Sequence, residues 1–410
     1  MIALITAGET IFFLPFVLAR VFRPTLLDVF NLTNFELGII FSVYGVVAMF
    51  SYFIGGPLAD KFSARKLISG ALAATAFGGL FMATIPSLGS MKFLYAFWGL
   101  TTILLFWAAL IRATREWGGE KLQGRAFGLL EGGRGLAAAL IGSVAVVIFA
   151  ALLPANVDEA TLILKTKAFQ QVILFISFFS FLIAVLVYFA LPPAGINKHK
   201  SSKKISLKEV GKVMTMPVVW LQAIIIICAY VGYKATDDFS LYARDVLHFD
   251  DVKAASVGTI ALWMRPVVAV SAGLLADYFS ASKMIIYSFL LMLIGGIIFG
   301  SGILNAGIFW FFFVTIVTIS IGIYALRGLY FAIMEEGKIP LAFTGTAVGI
   351  ISVLGYTPDI FMGPLMGYLL DRTPGSIGHQ HVFIVLAGFS LIGLVTALLF
   401  RRITTSFIKK

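Results

Sequence analysis

Residues 56–66 read GPLADKFSARK, and residues 273–283 read GLLADYFSASK. Gly56, Leu58, Asp60, Phe62 and Lys66 recur as Gly273, Leu275, Asp277, Phe279 and Lys283. Each phrase stands between two long apolar runs. The first places Asp60, Lys61, Arg65 and Lys66 in an otherwise uncharged neighbourhood. A phrase written twice about half a chain apart predicts two copies of one structural unit.

The rest of the chain says where such units live. Its 410 residues are 60% hydrophobic, 14% aromatic and only 12% charged, with a mean hydropathy of +0.99. This lies outside the range of soluble domains and predicts an integral membrane protein. The formal charge of +11 sits in short segments between apolar runs rather than on one basic face. It reads as topology, with the lipid bilayer as partner and no nucleic acid expected. A lone Cys228 excludes disulfides.

A crossing of a hydrocarbon core about 30 Å thick takes about 20 apolar residues. On that measure twelve spans are expected near 2–24, 36–59, 67–87, 92–112, 124–153, 169–191, 216–241, 254–276, 284–304, 307–334, 342–370 and 381–401. The fold class is therefore all-α and membrane-embedded. The first span has no basic stretch before it and is expected to be retained rather than cleaved. Lys and Arg concentrate in alternate loops, which predicts both termini on the cytoplasmic side. The longest polar stretch, LPPAGINKHKSSKKISLKEVGK from Leu191, reads as a basic cytoplasmic linker. It divides the chain into halves at 1–191 and 214–410, with the linker at 192–213. The two phrases then fall after the second span of each half. A second echo agrees: GRAFGLLEGGRGLAAALIG from Gly124 aligns with GTAVGIISVLGYTPDIFMG from Gly345, matching Gly128 to Gly349 and Gly142 to Gly363.

With these features the chain resembles the major facilitator superfamily, whose signature between its second and third helices has a Gly, a Leu, an Asp and a basic cluster at this spacing. The usual second Gly is Ser63 here, and one usual Arg is Ala64. The resemblance implies two six-helix bundles related by an axis along the membrane normal, with a substrate cavity between them at mid-membrane. It also gives the phrase a role. Carboxylates at the helix ends, Asp60 and Asp277, would be held by basic side chains or a helix amino end in one state and released in the other, which makes a gate latch of Gly56, Asp60, Lys61, Arg65, Lys66 and Asp277.

Charged residues deep in a span cost about 2.5–3.5 kcal/mol each and need a partner or a wet cavity. In the first span Glu9, Phe13, Phe16 and Arg20 share one helix face, with Glu9 and Arg20 about 16 Å apart along it. They form either a cavity wall or a pair of residues reaching to opposite interfaces. In the seventh span Lys234 can reach Asp237 and Asp238 one turn on, next to Tyr230 and Tyr233. Arg20 and Lys234 occupy repeat-related places. That is similar to the organophosphate and phosphate exchangers of the superfamily, where one basic residue from each half grips the anion, although a Lys lacks the bidentate fork of an Arg. An outer-end ion pair is the alternative for both.

Arg265 and Asp359 each lie about 18 Å from their helix ends, close to the midplane and beside a proline. They could pair with each other, bind substrate or carry a proton. The superfamily's nitrate transporters also use an Arg in the eighth helix with a mate in the second, and here Ala48 stands at the mate position. Arg327, among Tyr324, Tyr330 and Phe331, suits an organic anion with an apolar body. Glu131 and Arg134 read as a local structural pair in a span whose Gly124, Gly128 and Gly132 permit close packing.

No phosphate loop, metal-binding helix or serine nucleophile elbow occurs, and the four histidines are expected in loops. Neither an enzyme nor a cofactor is expected. The expected function is a secondary active transporter of the inner or plasma membrane, working as a monomer, that moves a small organic anion or zwitterion by alternating access, either proton-coupled or by exchange. Its substrate residues would be Arg20, Lys234, Arg265, Arg327, Tyr230 and Tyr324. Its proton carriers would be Glu9, Asp237, Asp238 and Asp359, because desolvation favours the neutral carboxyl. A drug or lipid exporter of the same fold is the alternative.

Overall fold

The computed structural model describes residues 1–119, 123–193, 207–304, 307, 309–339 and 344–408. The side chains of Asp60, Asp277 and residues 123–125, 158, 207–210, 309, 344–346 and 406–408 lie outside the description. Among the described residues there is no strand. That is what lipid requires of an apolar chain, since a helix satisfies its backbone polar groups internally.

In chain order the helices are α1 (Ile2–Val21), α2 (Arg23–Phe30), α3 (Asn34–Lys61), α4 (Ala64–Met82), α5 (Leu88–Gly118), α6 (Gln123–Ala151), α7 (Leu162–Ala190) and α8 (Leu207–Met214). They continue as α9 (Pro217–Asp245), α10 (Asp251–Phe279), α11 (Ala281–Gly300), α12 (Phe309–Leu329), α13 (Ile333–Glu336), α14 (Thr344–Gly355), α15 (Pro358–Arg372) and α16 (Ser376–Ile408). Among the described residues eleven spans are long and apolar enough to cross a membrane, with α14 and α15 counted as one. The expected third span corresponds to α4, whose 19 residues extend about 28 Å.

Several charges expected in loops belong to helices. Only Phe62 and Ser63 separate α3 from α4, so Arg65 and Lys66 sit in the first turn of α4. α7, α10 and α16 also start earlier than expected and take in Lys165, Lys167, Lys253, His379 and His381. Apolarity marks the hydrocarbon core, whereas a helix continues into the polar interface where long basic side chains are solvated. His379 is fully buried in α16 rather than exposed in a loop.

Prolines act by position. α1 widens into a π-helical turn at Phe13–Val17 around Pro15, where the missing N–H and the ring disfavour an ordinary turn. α5 holds a second π segment, Leu100–Trp107. Pro358 opens α15 after a break at Tyr356 and Thr357, a place suited to a residue without a donor. Pro266, by contrast, lies inside an unbroken α10. The weakened backbone expected at both prolines is realised only at Pro358.

Contacts group the chain into two compact units. One comprises Met1–Lys198, Thr236–Pro266 and Asp359–Gly375, the other His199–Ala235, Val267–Pro358 and Ser376–Lys410. This grouping cuts across the sequence halves. Within the first unit, α6 meets α10 where a Cβ on Gly135 would lie 3.0 Å from the Pro266 nitrogen, and one on Gly142 3.2 Å from Leu262 Cδ1. The repeat-related Gly363 of α15 approaches Gly38 of α3, with a would-be Cβ 2.9 Å from its carbonyl oxygen. A Cβ built on either member of the aligned pairs Gly56 and Gly273, or Gly128 and Gly349, would meet nothing within 4 Å among the described residues. The close packing expected at Gly128 therefore falls instead at Gly135 and Gly142.

Candidate functional site

The first unit gathers a cluster of four charges, three of them buried. Glu9 of α1 is 2% exposed, and its carboxylate accepts from Arg265 Nη1 of α10 at 3.0 and 3.1 Å. On its other side Arg134 Nε of α6 lies 3.4 Å from Glu9 Oε2. Arg134 Nη1 donates to Glu131 Oε1 at 2.6 Å, and Arg265 Nη2 is 3.6 Å from Glu131 Oε2. Two carboxylates and two guanidiniums thus close a neutral ring, and only the Glu131 side chain, 45% exposed, is open. The guanidinium of Arg134 lies 5.6 Å from the ring centres of both Phe12 and Trp107, which meet edge to face at 6.1 Å. Phe12 immediately precedes the π turn of α1, and Trp107 ends the π segment of α5.

A second charged site joins α1 to α9. Arg20 is 1% exposed, and its Nε donates to Asp237 Oδ1 at 2.6 Å. Its carbonyl accepts from Ser240 Oγ at 2.9 Å. Arg20 therefore does not reach out to an interface. Beyond it, Arg23 donates to Asn34 Oδ1 at 2.9 and 3.2 Å, and Asp371 accepts from the backbone of Asn34 and Phe35 at 3.1 and 2.7 Å. Burial pulls the Arg23 guanidinium below its ordinary pKa, and Asp238, Asp237, Asp371 and Asp245 oppose that pull. Arg244 bonds Asp28 at 2.8 Å, and Lys165 pairs with Asp251 at 2.5 Å.

In the second unit Arg327 of α12 lies 3.7 Å over the ring of Tyr233 and 5.7 Å from that of Tyr230. Tyr230 also contacts Tyr356 at 5.1 Å, whose hydroxyl is 3.3 Å from that of Tyr330. The sequence offered Tyr324, Tyr330 and Phe331 as neighbours of Arg327, whereas the rings that stand at its guanidinium are Tyr233 and Tyr230, with Tyr356 against Tyr230. Tyr324 is buried in the same helix, and Lys234 follows Tyr233 and is 2% exposed. Back in the first unit, Asp238 is fully buried in the turn Thr236–Asp238 of α9. Asp359 stands in the first turn of α15, where its backbone packs so tightly on α3 that a Cβ at Gly45 would lie 2.8 Å from its carbonyl.

At the repeated phrase, Arg65 lies 3.9 Å over the ring of Tyr188 and Lys61 5.8 Å from that of Phe62. Arg112 donates to the Ala59 carbonyl at 2.5 Å and to Glu116 at 2.8 Å, so it caps the end of α3. Within the second phrase, Ser282 N donates to Glu336 Oε1 at 3.0 Å. The latch expected of Asp60 and Asp277 falls on side chains outside the described ones.

Sequence reasoning missed how Arg134 is used. An i,i+3 partner at Glu131 explains the charge locally, and no spacing reveals that the same guanidinium reaches α1. The available signal was charge balance, since Glu9 and Arg265 lie at membrane depth and each needs an opposite charge. Phe12, Trp107, Tyr356 and Glu336 carried no signal beyond ordinary packing residues.

A helical membrane chain with a repeated inter-helix phrase and charges gathered inside it fits a membrane carrier. The chain belongs to the Major Facilitator Superfamily, whose profile matches residues 5–357. It is a membrane transporter rather than an enzyme. The inner membrane protein YqcE of Escherichia coli (strain K12) is 26% identical over 396 residues, 91% of this chain and 88% of that protein. The inner membrane protein YihN of the same organism is 27% identical over 415 residues, 97% of this chain and 94% of its own. Among solved structures, the nucleoside transporter NupG superposes with a TM-score of 0.71 at 12% identity, over 97% of this chain and 98% of its own, a likeness of fold alone.

Proposed function

We propose that this chain is a secondary active transporter of the inner membrane that moves a small organic anion or zwitterion by alternating access. Its twelve spans form two six-helix bundles, 1–191 and 214–410, joined by the basic linker 192–213, with both termini cytoplasmic and a monomer as the working unit. Energy comes from proton coupling or from exchange. The names of the two relatives support the inner membrane.

The observation that carries this reading is the buried pair of Glu9 and Arg265, 2% and 6% exposed by side chain, which joins a helix of the first half to one of the second. Breaking a buried pair by removing one partner costs about 3–5 kcal/mol. A cycle that separates the pair has to compensate both charges, which a proton does at Glu9 and an anionic substrate at Arg265. Arg327 among Tyr230, Tyr233 and Tyr356 offers the organic body an aromatic wall with Tyr324 in the same helix, and Lys234 with Arg20 supplies further positive charge. Asp237, Asp238 and Asp359 are the remaining proton carriers. Among the described residues nothing crowds Gly56 or Gly273, which supports the gate reading, because a small residue facing free space in one state leaves room for a helix in the other.

A thermal-shift screen of the purified protein against carboxylates, organic phosphates, amino acids and cations tests the substrate class, because a ligand stabilises in proportion to the logarithm of its concentration over Kd. Stabilisation by anions that appears as the pH is lowered below neutrality and is lost in Arg265→Ala is expected. Stabilisation only by cations or apolar compounds would overturn the anion reading and favour an exporter.

A further inference from the structure

We infer that Arg134 and Arg265 together form a binding site for a single carboxylate-sized anionic group, and that the Glu9 carboxylate fills this site until it takes up a proton. The inference rests on the transporter reading above and names the group the site accepts. Arg134, whose spacing from Glu131 marks it as a local structural partner, becomes a substrate-binding residue.

The geometry is that of an occupied anion site. Two guanidiniums from different helices converge on one carboxylate, Arg265 at 3.0 and 3.1 Å and Arg134 at 3.4 Å. Both arginine side chains are 6% exposed. Among the described residues Arg134 Nε makes no hydrogen bond. At 3.4 Å it forms an ion pair with Glu9 but no hydrogen bond, so this buried donor stands beside the site with hydrogen-bonding capacity unused. Space has been left for the approach: a Cβ on Gly8 would lie 3.1 Å from Arg134 Cδ, so the residue beside Glu9 has to be small for the arginine stem to cross α1. Phe12 and Trp107 wall the guanidinium on its other side, which excludes water and strengthens the attraction of any anion that enters.

Charge sets the stoichiometry. Among the described residues the ionisable groups paired around Glu9 are Arg134, Arg265 and, opposite both, Glu131, and the helices packed on the rest of α1 contribute apolar Leu72, Phe106, Leu110 and Ala184. With both carboxylates ionised the ring is neutral. A proton from the medium on Glu9 leaves it with one net positive charge, which one monovalent anion cancels. Proton and anion therefore promote each other's binding by the same factor, and the loaded site carries no net charge. The entering group arrives past Glu131, the exposed member of the ring.

Glu9→Gln reproduces the protonated form and needs no knowledge of the natural substrate. Formate and acetate are the probes, with chloride at equal ionic strength as the control, and melting temperature is the readout. At neutral pH, formate and acetate are expected to raise the melting temperature of Glu9→Gln by several degrees and saturably, and to leave the unsubstituted protein within about one degree of its chloride value. Adding Arg134→Gln to Glu9→Gln should abolish the response. Glu9→Ala is measured in parallel and serves should the amide variant not be recovered folded. Equal responses in the unsubstituted protein and Glu9→Gln, no response in either Glu9 variant, or a response that survives Arg134→Gln would each overturn the inference. None of these outcomes touches the anion-carrier reading, which stands or falls on the Arg265-dependent screen above.

Discussion

Arg265 illustrates what depth in a membrane demands of a single side chain. Twelve residues before Asp277, it could be placed near the midplane from sequence, and the need for a partner followed from the cost of the charge. Which partner could not be read, because Glu9 is 256 positions away and Asp359 was equally deep. Arg265→Ala should lower stability by about 3 kcal/mol, seen as a fall in melting temperature, and Arg265→Lys should recover only part because it loses the second nitrogen. A melting temperature unchanged in Arg265→Ala would mean that the pair contributes no net stability. Ser280 makes a simpler case. It holds φ 109° and ψ 142° with no side-chain hydrogen bond capping α11, a conformation suited to glycine. Ser280→Gly should stabilise the protein by about 1 kcal/mol, and a lower melting temperature would contradict this.

At the scale of the element, helix existence was legible and helix ends were not. Apolar run length located α1, α3, α6 and α9 closely, because lipid leaves the backbone no alternative to the helix. The starts of α7, α10 and α16 lie outside the apolar runs and are set by caps and interfacial charges instead. Asp250 is one such cap: Lys253 N donates to its Oδ1 at 2.9 Å, and Lys253 Nζ lies 2.9 Å from Oδ2. Burial alone would raise the Asp250 pKa, but the bonds from Lys253 and the Val252 N–H outweigh it and hold the carboxyl below its ordinary value. A lowered folded pKa gives stability that is fully present above the unfolded value, about 3.9, and is lost as pH falls through the folded one. Asp250→Ala should therefore cost about 1 kcal/mol near neutrality, and its deficit should shrink as the pH is lowered below about 4. A deficit that stays constant down to about pH 3 would show that the carboxylate's charge contributes nothing to the cap. The π turns of α1 and α5 had only Pro15 to announce them, and the turn in α5 contains no proline at all.

At the scale of the molecule, the repeat was the most informative feature, because two copies of a phrase constrain the whole chain. It aligned Gly142 with Gly363, and both prove to be close-contact points, one against α10 and the other against α3. Periodicity within one helix could not supply the neutral ring of Glu9, Glu131, Arg134 and Arg265, which depends on three helices meeting. The central claim, that this ring couples one proton to one anion, is tested most directly in proteoliposomes. Uptake of the anion selected by the thermal-shift screen would be followed with the pH gradient and the membrane potential set independently. Uptake should follow the inward proton gradient, ignore the potential, and lose its pH dependence in Glu9→Gln. Uptake driven by the potential alone, or an undiminished pH dependence in Glu9→Gln, would contradict it.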